Sequence, residues 1–453
     1  MKVSWIFTVL IAAPLLAIFI QFWLYDRLPS PSGRYTVGTT DILIYRPSGA
    51  WKFVNCTQAN VCVFGGGPYI APEIDKGLPI DISPPKKLMV QVFYPSKEKE
   101  QTTHFITKWL SVTQDSKRAS ILPDVSFLKW YQRYPHPLVK ATVQLFGARP
   151  AYAFLLSIAS WMKSPMLSDV PLAHSTEPWP VVLFSHGLFA NRLSYSVLCA
   201  EMASHGYIVV SVDHTDGSVP LVYFKDGDVL FYRKLTQEER ETPAVSQTIR
   251  ILQAHRRVVD LQVALASLKV LNEESKNLVN LPTHLDFRGK INLKEVTVMG
   301  HSFGGATSLI ACYLEKRFSK CLALDPWMEA VPDELSNSFS QLNASVVCIH
   351  TEKFQTETSL KKVAVILKQS QQSGYFAAHW KLKGASHEAQ ADYSILLPHH
   401  VQRILNMSIS EMPPKLVHEL DNQIALQFLK DPQSLNGMIE NQSLSRYVQA
   451  LPF

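Results

Sequence analysis

Short apolar, β-branched runs recur along the chain: Leu88 to Tyr94, Val181 to Phe184, Tyr207 to Val212, Val296 to Met299, Cys321 to Leu324, Val346 to Ile349 and Tyr375 to Leu382. Runs of this length without polar alternation predict strands buried on both faces. Between several of them lie stretches with helical spacing, Tyr195 to His205 closed by Gly206, the long Val245 to Leu271, and Gly304 to Arg317. Strands alternating with helices predict an α/β fold, a mostly parallel central sheet with helices on both faces. No internal repeat interrupts this order, so residues 85–453 read as one folded body. Residues 28–84, opening on the Pro- and Ser-rich joint Leu28 to Gly33, read as a linker and N-terminal extension.

One apolar segment does not fit that scheme. After Met1-Lys2, an uncharged run from Val3 to Tyr25 covers 23 residues, enough at about 1.5 Å per residue to cross the hydrocarbon layer. It ends in Gln21-Phe22-Trp23-Leu24-Tyr25, bulky and aromatic rather than small as at a cleavage site. Residues 1–27 therefore read as an uncleaved signal anchor, with a cleaved signal peptide and secretion as the alternative. The expectation is a membrane-associated protein with a single N-terminal pass and a luminal or extracellular body. Met1-Lys2 lacks the Gly of an N-myristoylation signal. Sequons at Asn55, Asn343, Asn406 and Asn441 lean the same way, and Cys56 with Cys62, beside Gly65-Gly66-Gly67, could close a short disulfide in an oxidising lumen.

Composition narrows the function classes. Of 453 residues, 47% are hydrophobic and only 18% charged, which excludes a disordered, collagen-like or coiled-coil chain. The net charge of +6 suits an anionic lipid surface. Basic residues come as pairs, such as Lys86-Lys87 and Arg256-Arg257, too scattered for nucleic acid. Six cysteines without a CxxC pair argue against structural zinc, so no metal or cofactor is expected.

The chemistry concentrates in Gly300-His301-Ser302-Phe303-Gly304-Gly305. A predicted strand precedes this Gly-x-Ser-x-Gly and a small-residue helix follows, the frame of a nucleophile elbow. Glycines belong there because side chains flanking the sharp turn would strike neighbouring strands. Such a Ser needs two N–H donors for a developing oxyanion: one from Phe303, the other from Leu188, where Gly187 lets the loop after Val181–Phe184 turn tightly. His186 reads as structural, because it precedes the nucleophile. In the order Ser, acid, His, the base falls on His387, after the last predicted strand and a Lys383-Gly384-Ala385-Ser386 turn. His350 ends a strand too early, and His399-His400 sit in a surface stretch. Two acids stand at strand ends, Asp325 and Glu352, and topology alone favours Glu352.

Phe184-Ser185-His186-Gly187-Leu188, the elbow, Ala323-Leu324-Asp325-Pro326-Trp327-Met328 and Gly384-Ala385-Ser386-His387 together resemble the platelet-activating factor acetylhydrolases, the lipoprotein-associated type of phospholipase A2. Further stretches agree over roughly residues 85 to 430, among them Val92-Phe93-Tyr94-Pro95-Ser96 and Val212-Asp213-His214. The resemblance implies an α/β-hydrolase fold and a triad of Ser302, Asp325 and His387, with Glu352 in the runner-up role. It further implies calcium-independent hydrolysis of the sn-2 acetyl or short, oxidised acyl ester of a glycerophospholipid. The expected partners are a phospholipid substrate and a membrane or lipoprotein surface. The insert from Lys108 to Leu167 interleaves Trp109, Trp130-Tyr131, Tyr134 and Trp161 with Arg133, Lys140 and Arg149. Such a mixture suits the interface of a lipid layer, as the resemblance also implies, and burial under the sheet is its alternative. Two rival functions share these residues: a general short-chain carboxylesterase or lipase, and a catalytically idle lipid-binding module.

Overall fold

Residues 28–45, 80, 85–98, 163–273, 281–332 and 342–453, without 283, 398, 405–406 and 442, are described by the structure, a computed structural model, together with strand segments at 61–64, 67–70 and 103–104. The expected anchor at 1–27, Cys56 of the expected Cys56–Cys62 disulfide and nearly all of the insert at 108–167 lie outside the described residues. Among those residues, no helix is long and apolar enough to cross a membrane.

The ten strands of the main sheet are β1 (Thr36–Tyr45), β2 (Lys87–Ser96), β3 (Leu167–Ser168), β4 (Trp179–Ser185), β5 (Ile208–Asp213), β6 (Ile291–His301), β7 (Phe318–Leu324), β8 (Ser345–Thr351), β9 (Ala377–Leu382) and β10 (Val448–Ala450). They are ordered β10-β9-β8-β7-β6-β4-β5-β2-β1-β3. The stretch from β9 to β5 is parallel throughout, whereas β2 pairs antiparallel with both β5 and β1, and β10 antiparallel with β9.

Strand alternation splits the core in two. Val181, Leu183, Val210, Val298, Cys321 and Val346 pack towards α2 (Pro243–Glu273), α3 (Phe303–Leu314) and α4 (Glu357–Gln372). Val182, Phe184, Val209, Met299, Leu322 and Val347 pack towards α1 (Ser196–Ser204) and α5 (Pro414–Lys430). Both faces being covered, the strands read as continuous apolar runs rather than alternating ones. The result is an α/β-hydrolase-like, three-layer fold, with β4, β6, β7, β8 and β9 all ending on one side.

The N-terminal boundary needs correction. Residues 36–45, read above as part of a linker, form β1 in full register with β2, from Thr36 opposite Ser96 to Tyr45 opposite Lys87. Gly38 makes the pairing fit, since a Cβ there would stand 2.3 Å from the Tyr94 ring. The Pro- and Ser-rich joint is likewise fastened: the Ser32 N–H donates to Glu201 at 2.9 Å, and Gly33 lies against the end of α1. The described folded body therefore reaches back to Leu28, which is buried.

Candidate active site

β6 runs directly into Ser302, which caps α3 with φ 57° and ψ −119°. That left-handed backbone is costly for a non-glycine residue. Close packing holds it. A Cβ at Gly300 would lie 2.3 Å from the Gly304 carbonyl oxygen, and one at Gly304 would lie 1.9 Å from the Ser185 oxygen. The Ser302 N–H donates to Leu324 O at 2.8 Å, and Ser302 O accepts from the Trp327 N–H at 2.9 Å. The turn is thereby stitched to the end of β7, where Asp325 begins.

Asp325 is itself at positive φ (43°) and fully buried. Its Oδ2 faces His387 Nδ1 at 2.7 Å. The same carboxylate accepts from Gln355 Nε2 at 2.6 Å, the Thr351 N–H at 3.2 Å and the Thr351 hydroxyl. His350 Nδ1 stands 3.6 Å from Oδ1. Burial would raise this carboxyl, but the flanking imidazoles of His350 and His387 outweigh it and hold Asp325 well below the usual carboxylate range. An ionised carboxylate only accepts, so His387 Nδ1 carries a proton and Nε2 is left as a base.

His387 opens a 3₁₀ turn (His387–Gln390), and its ring is stacked on Phe354 at 3.6 Å between centroids. The His301 ring, one residue before the nucleophile, lies 4.4 Å away on the other side. Among the described residues, Ser302 Oγ makes no hydrogen bond to His387, a contact that commonly tightens only with substrate bound. Glu352 is exposed and does not reach the imidazole. Its carboxylate accepts the Gly384 N–H at 2.6 Å, fixing the turn that leads to His387. Geometry thus puts Asp325, not the topologically favoured Glu352, on the base.

Phe303 and Gly187, the residue before Leu188, both adjoin Ser302 at the elbow. Phe303 is the first residue of α3, where N–H groups lack intrahelical acceptors. On the other side, a Cβ at Gly187 would lie 3.3 Å from the Ser302 Cβ and 2.9 Å from the Tyr195 hydroxyl. His186 is consumed structurally: Nδ1 faces Gly187 O at 2.7 Å and Nε2 accepts the His214 N–H at 3.3 Å. His399 lies on a separate short helix, His399–Ile404. Donor atoms of His301, Asp325 and His387 lie within 4.8 Å of one another, close enough for an ion, but Asp325 and His387 already satisfy each other.

Several buried polar groups escaped sequence reasoning. The Tyr195 hydroxyl accepts the Gly187 N–H at 3.2 Å and faces His301 Nδ1 at 2.8 Å. A second Ser-His-Asp array lies beneath the oxyanion loop, Ser185 Oγ to His214 Nε2 at 2.8 Å and His214 Nδ1 to Asp260 at 3.3 Å, every member fully buried. Arg256 and Arg257, read above only as one of several scattered basic pairs, are buried on α2. The available signal was Asp260, one helical turn on, which pairs with Arg256.

A family model described as platelet-activating factor acetylhydrolase, isoform II, matches residues 142–444, which include every site residue above. The chain belongs to this family. Curated platelet-activating factor acetylhydrolases are similar to it: one from Gallus gallus is 30% identical over 280 residues, covering 57% of this chain and 63% of the relative. One from Cavia porcellus is 28% identical over 283 residues, covering 59% and 61%, and one from Canis lupus familiaris 25% over 420 residues, covering 89% and 77%. The chain thus spans about three fifths of the length of the first two acetylhydrolases it matches. A solved ferulic acid esterase from Streptomyces cinnamoneus shares the fold, with a TM-score of 0.57 at 16% identity over 94% of this chain and 99% of that one.

Proposed function

We propose that this platelet-activating factor acetylhydrolase family member is a serine esterase that removes the sn-2 acetyl or short, oxidised acyl chain of a glycerophospholipid. The observation that carries the reading is one juxtaposition. A strained Ser302 at the head of α3 directly follows His301, whose ring lies 4.4 Å from the His387 imidazole, and that imidazole's Nδ1 is held 2.7 Å from a buried, ionised Asp325. Ser302 Oγ attacks the ester carbonyl while His387 Nε2 takes its proton. The imidazolium returns that proton to the lysophospholipid oxygen as it leaves, and Asp325 steadies the cation between the two steps. N–H groups of Leu188 and Phe303 meet the oxyanion, each worth about 3 kcal/mol of barrier. Water then hydrolyses the acyl-enzyme with His387 as base. Every charge that develops meets a protein group, so the reaction runs without calcium. The apolar run from Val3 to Tyr25 attaches the enzyme to the membrane that holds its substrate.

The test is an assay of the full chain, and of a chain beginning at Leu28, on short- and long-acyl phosphatidylcholines and a simple aryl ester, with and without excess chelator. Expected are preference for the short-acyl phospholipid, indifference to chelator, and loss of vesicle flotation but not of aryl-ester turnover on truncation. Equal rates on all esters would favour a general carboxylesterase, and activity restored by calcium would refute the metal-free route.

A further inference from the structure

Arg257 lies on α2, away from the triad in sequence, and is completely buried. Its guanidinium sorts its donors among four partners: Nε to Asp216 Oδ2 at 2.9 Å, Nη1 to His186 O at 2.6 Å, Nη2 to Ser218 Oγ at 2.5 Å and to Gly187 O at 3.5 Å. The same group lies over the Phe303 ring, Cζ 4.1 Å from the centroid. One cation therefore touches both halves of the oxyanion site.

The consequence follows from peptide geometry. In a trans peptide the carbonyl and the next residue's N–H point in opposite directions. Two successive carbonyls, His186 and Gly187, are drawn to one side by Arg257, and His186 Nδ1 adds a second hold on Gly187 O at 2.7 Å. Their paired N–H groups, those of Gly187 and Leu188, must then face the other side. The Gly187 N–H is found there on the Tyr195 hydroxyl at 3.2 Å, and on that side Gly187 abuts Ser302. Among the described residues the Leu188 N–H has no acceptor, and the peptide geometry turns it towards the elbow. An isolated buried arginine is expensive, and Asp216 together with two carbonyl oxygens makes this one tenable.

We infer that Arg257 is a positioning residue that presets the oxyanion site, by clamping the His186 and Gly187 carbonyls and bracing Phe303, before any substrate arrives. The inference rests on the serine-esterase reading above. It locates the preorganisation in α2 rather than in the loop's own sequence, because a loop with Gly187 in it has no stiffness to supply.

The test compares hydrolysis of 4-nitrophenyl acetate with that of its thiono counterpart by the full chain. Sulfur accepts hydrogen bonds poorly, so an intact oxyanion site favours the oxo ester and a misdirected one loses that preference. Arg257→Gln and Arg257→Lys are expected to lower kcat on the oxo ester by about 100-fold with KM within about threefold, and to cut the oxo-to-thiono ratio at least about tenfold. If Arg257→Gln fails to fold, Arg257→Met paired with Asp216→Asn leaves no lone buried charge and should show the same collapse of the ratio. Unchanged ratio and kcat in a folded variant, judged by near-ultraviolet circular dichroism, would overturn the clamp. Ser302→Ala separates the two ideas: if it stays active the serine-esterase reading fails, and if it is dead while the Arg257 ratio holds, only the clamp fails.

Discussion

Two Ser-His-Asp arrays stand close together in this molecule, and they differ in almost everything except composition. In the buried one, Ser185, His214 and Asp260 form a continuous hydrogen-bonded chain. In the other, Asp325 and His387 are joined, while Ser302 sits in a strained turn with 7% of its surface open. The acids differ as sharply. Burial raises Asp260 to about 6 despite Arg256 and Thr215, whereas in Asp325 the flanking imidazoles of His350 and His387 overcome burial and keep the carboxyl ionised. Ser185 ends a strand and is fully buried, whereas Ser302 heads a helix at a positive φ of 57°. A nucleophile is thus made by the backbone around a serine more than by the histidine next to it.

Replacing each serine breaks or upholds that contrast most directly. Ser302→Ala should lower turnover of an aryl ester by about 10⁴-fold or more with an unchanged melting temperature. Ser185→Ala should keep activity within about tenfold but cost about 1–3 kcal/mol of stability, because it strands a buried imidazole nitrogen. Matched kinetics and denaturant melts of the two variants decide it, and the reverse pattern would move the nucleophile to β4.

The acids come next in size. Asp325→Asn should cost about 10³- to 10⁴-fold in kcat, since an amide no longer fixes the His387 tautomer. Glu352→Gln should cost less than about fivefold, as the amide oxygen can still accept the Gly384 N–H. Comparable losses in kcat for the two variants would contradict the geometry.

The smallest effect concerns stability alone. Burial raises Asp421 to about 8, only partly relieved by the Gln390 amide at 3.1 Å from both oxygens. The folded state then holds a proton that the unfolded chain releases near its ordinary value of about 3.9. Stability should therefore fall as pH rises from about 4 through about 8. Asp421→Asn should flatten that slope, matching the parent near pH 4 and melting higher near pH 8.5. Parallel melting curves across this range would show that the group is ionised in the fold.

Much of the catalytic frame was legible in the chain. Gly300, Ser302 and Gly304 advertise the elbow because a sharp turn tolerates few residue types, and the strands of the parallel core announce themselves by being apolar on both faces. β1 was hidden, since Thr-Val-Gly-Thr-Thr-Asp carries no clear period and its fit depends on the Tyr94 ring. Asp325 could not be told from Glu352 by spacing, because both follow strands and only the side-chain direction separates them. Arg257 was read only as half of a basic pair, since a charged residue at the middle of a helix declares its burial only through distant partners such as Asp216 and the loop carbonyls.

The bonds around Asp325 have a consequence for how such a site changes. Thr351 and Gln355, which belong to β8 and the loop after it, donate to a carboxylate rooted at the end of β7. The seat of the acid is therefore shared property of two strands, and a carboxylate introduced from β8 would meet donors already in place. The nucleophile has no such freedom, wedged as it is between backbone oxygens that admit only glycine at Gly300 and Gly304. In a lineage or in a redesign, the acid is the exchangeable part of this machinery and the elbow the fixed one.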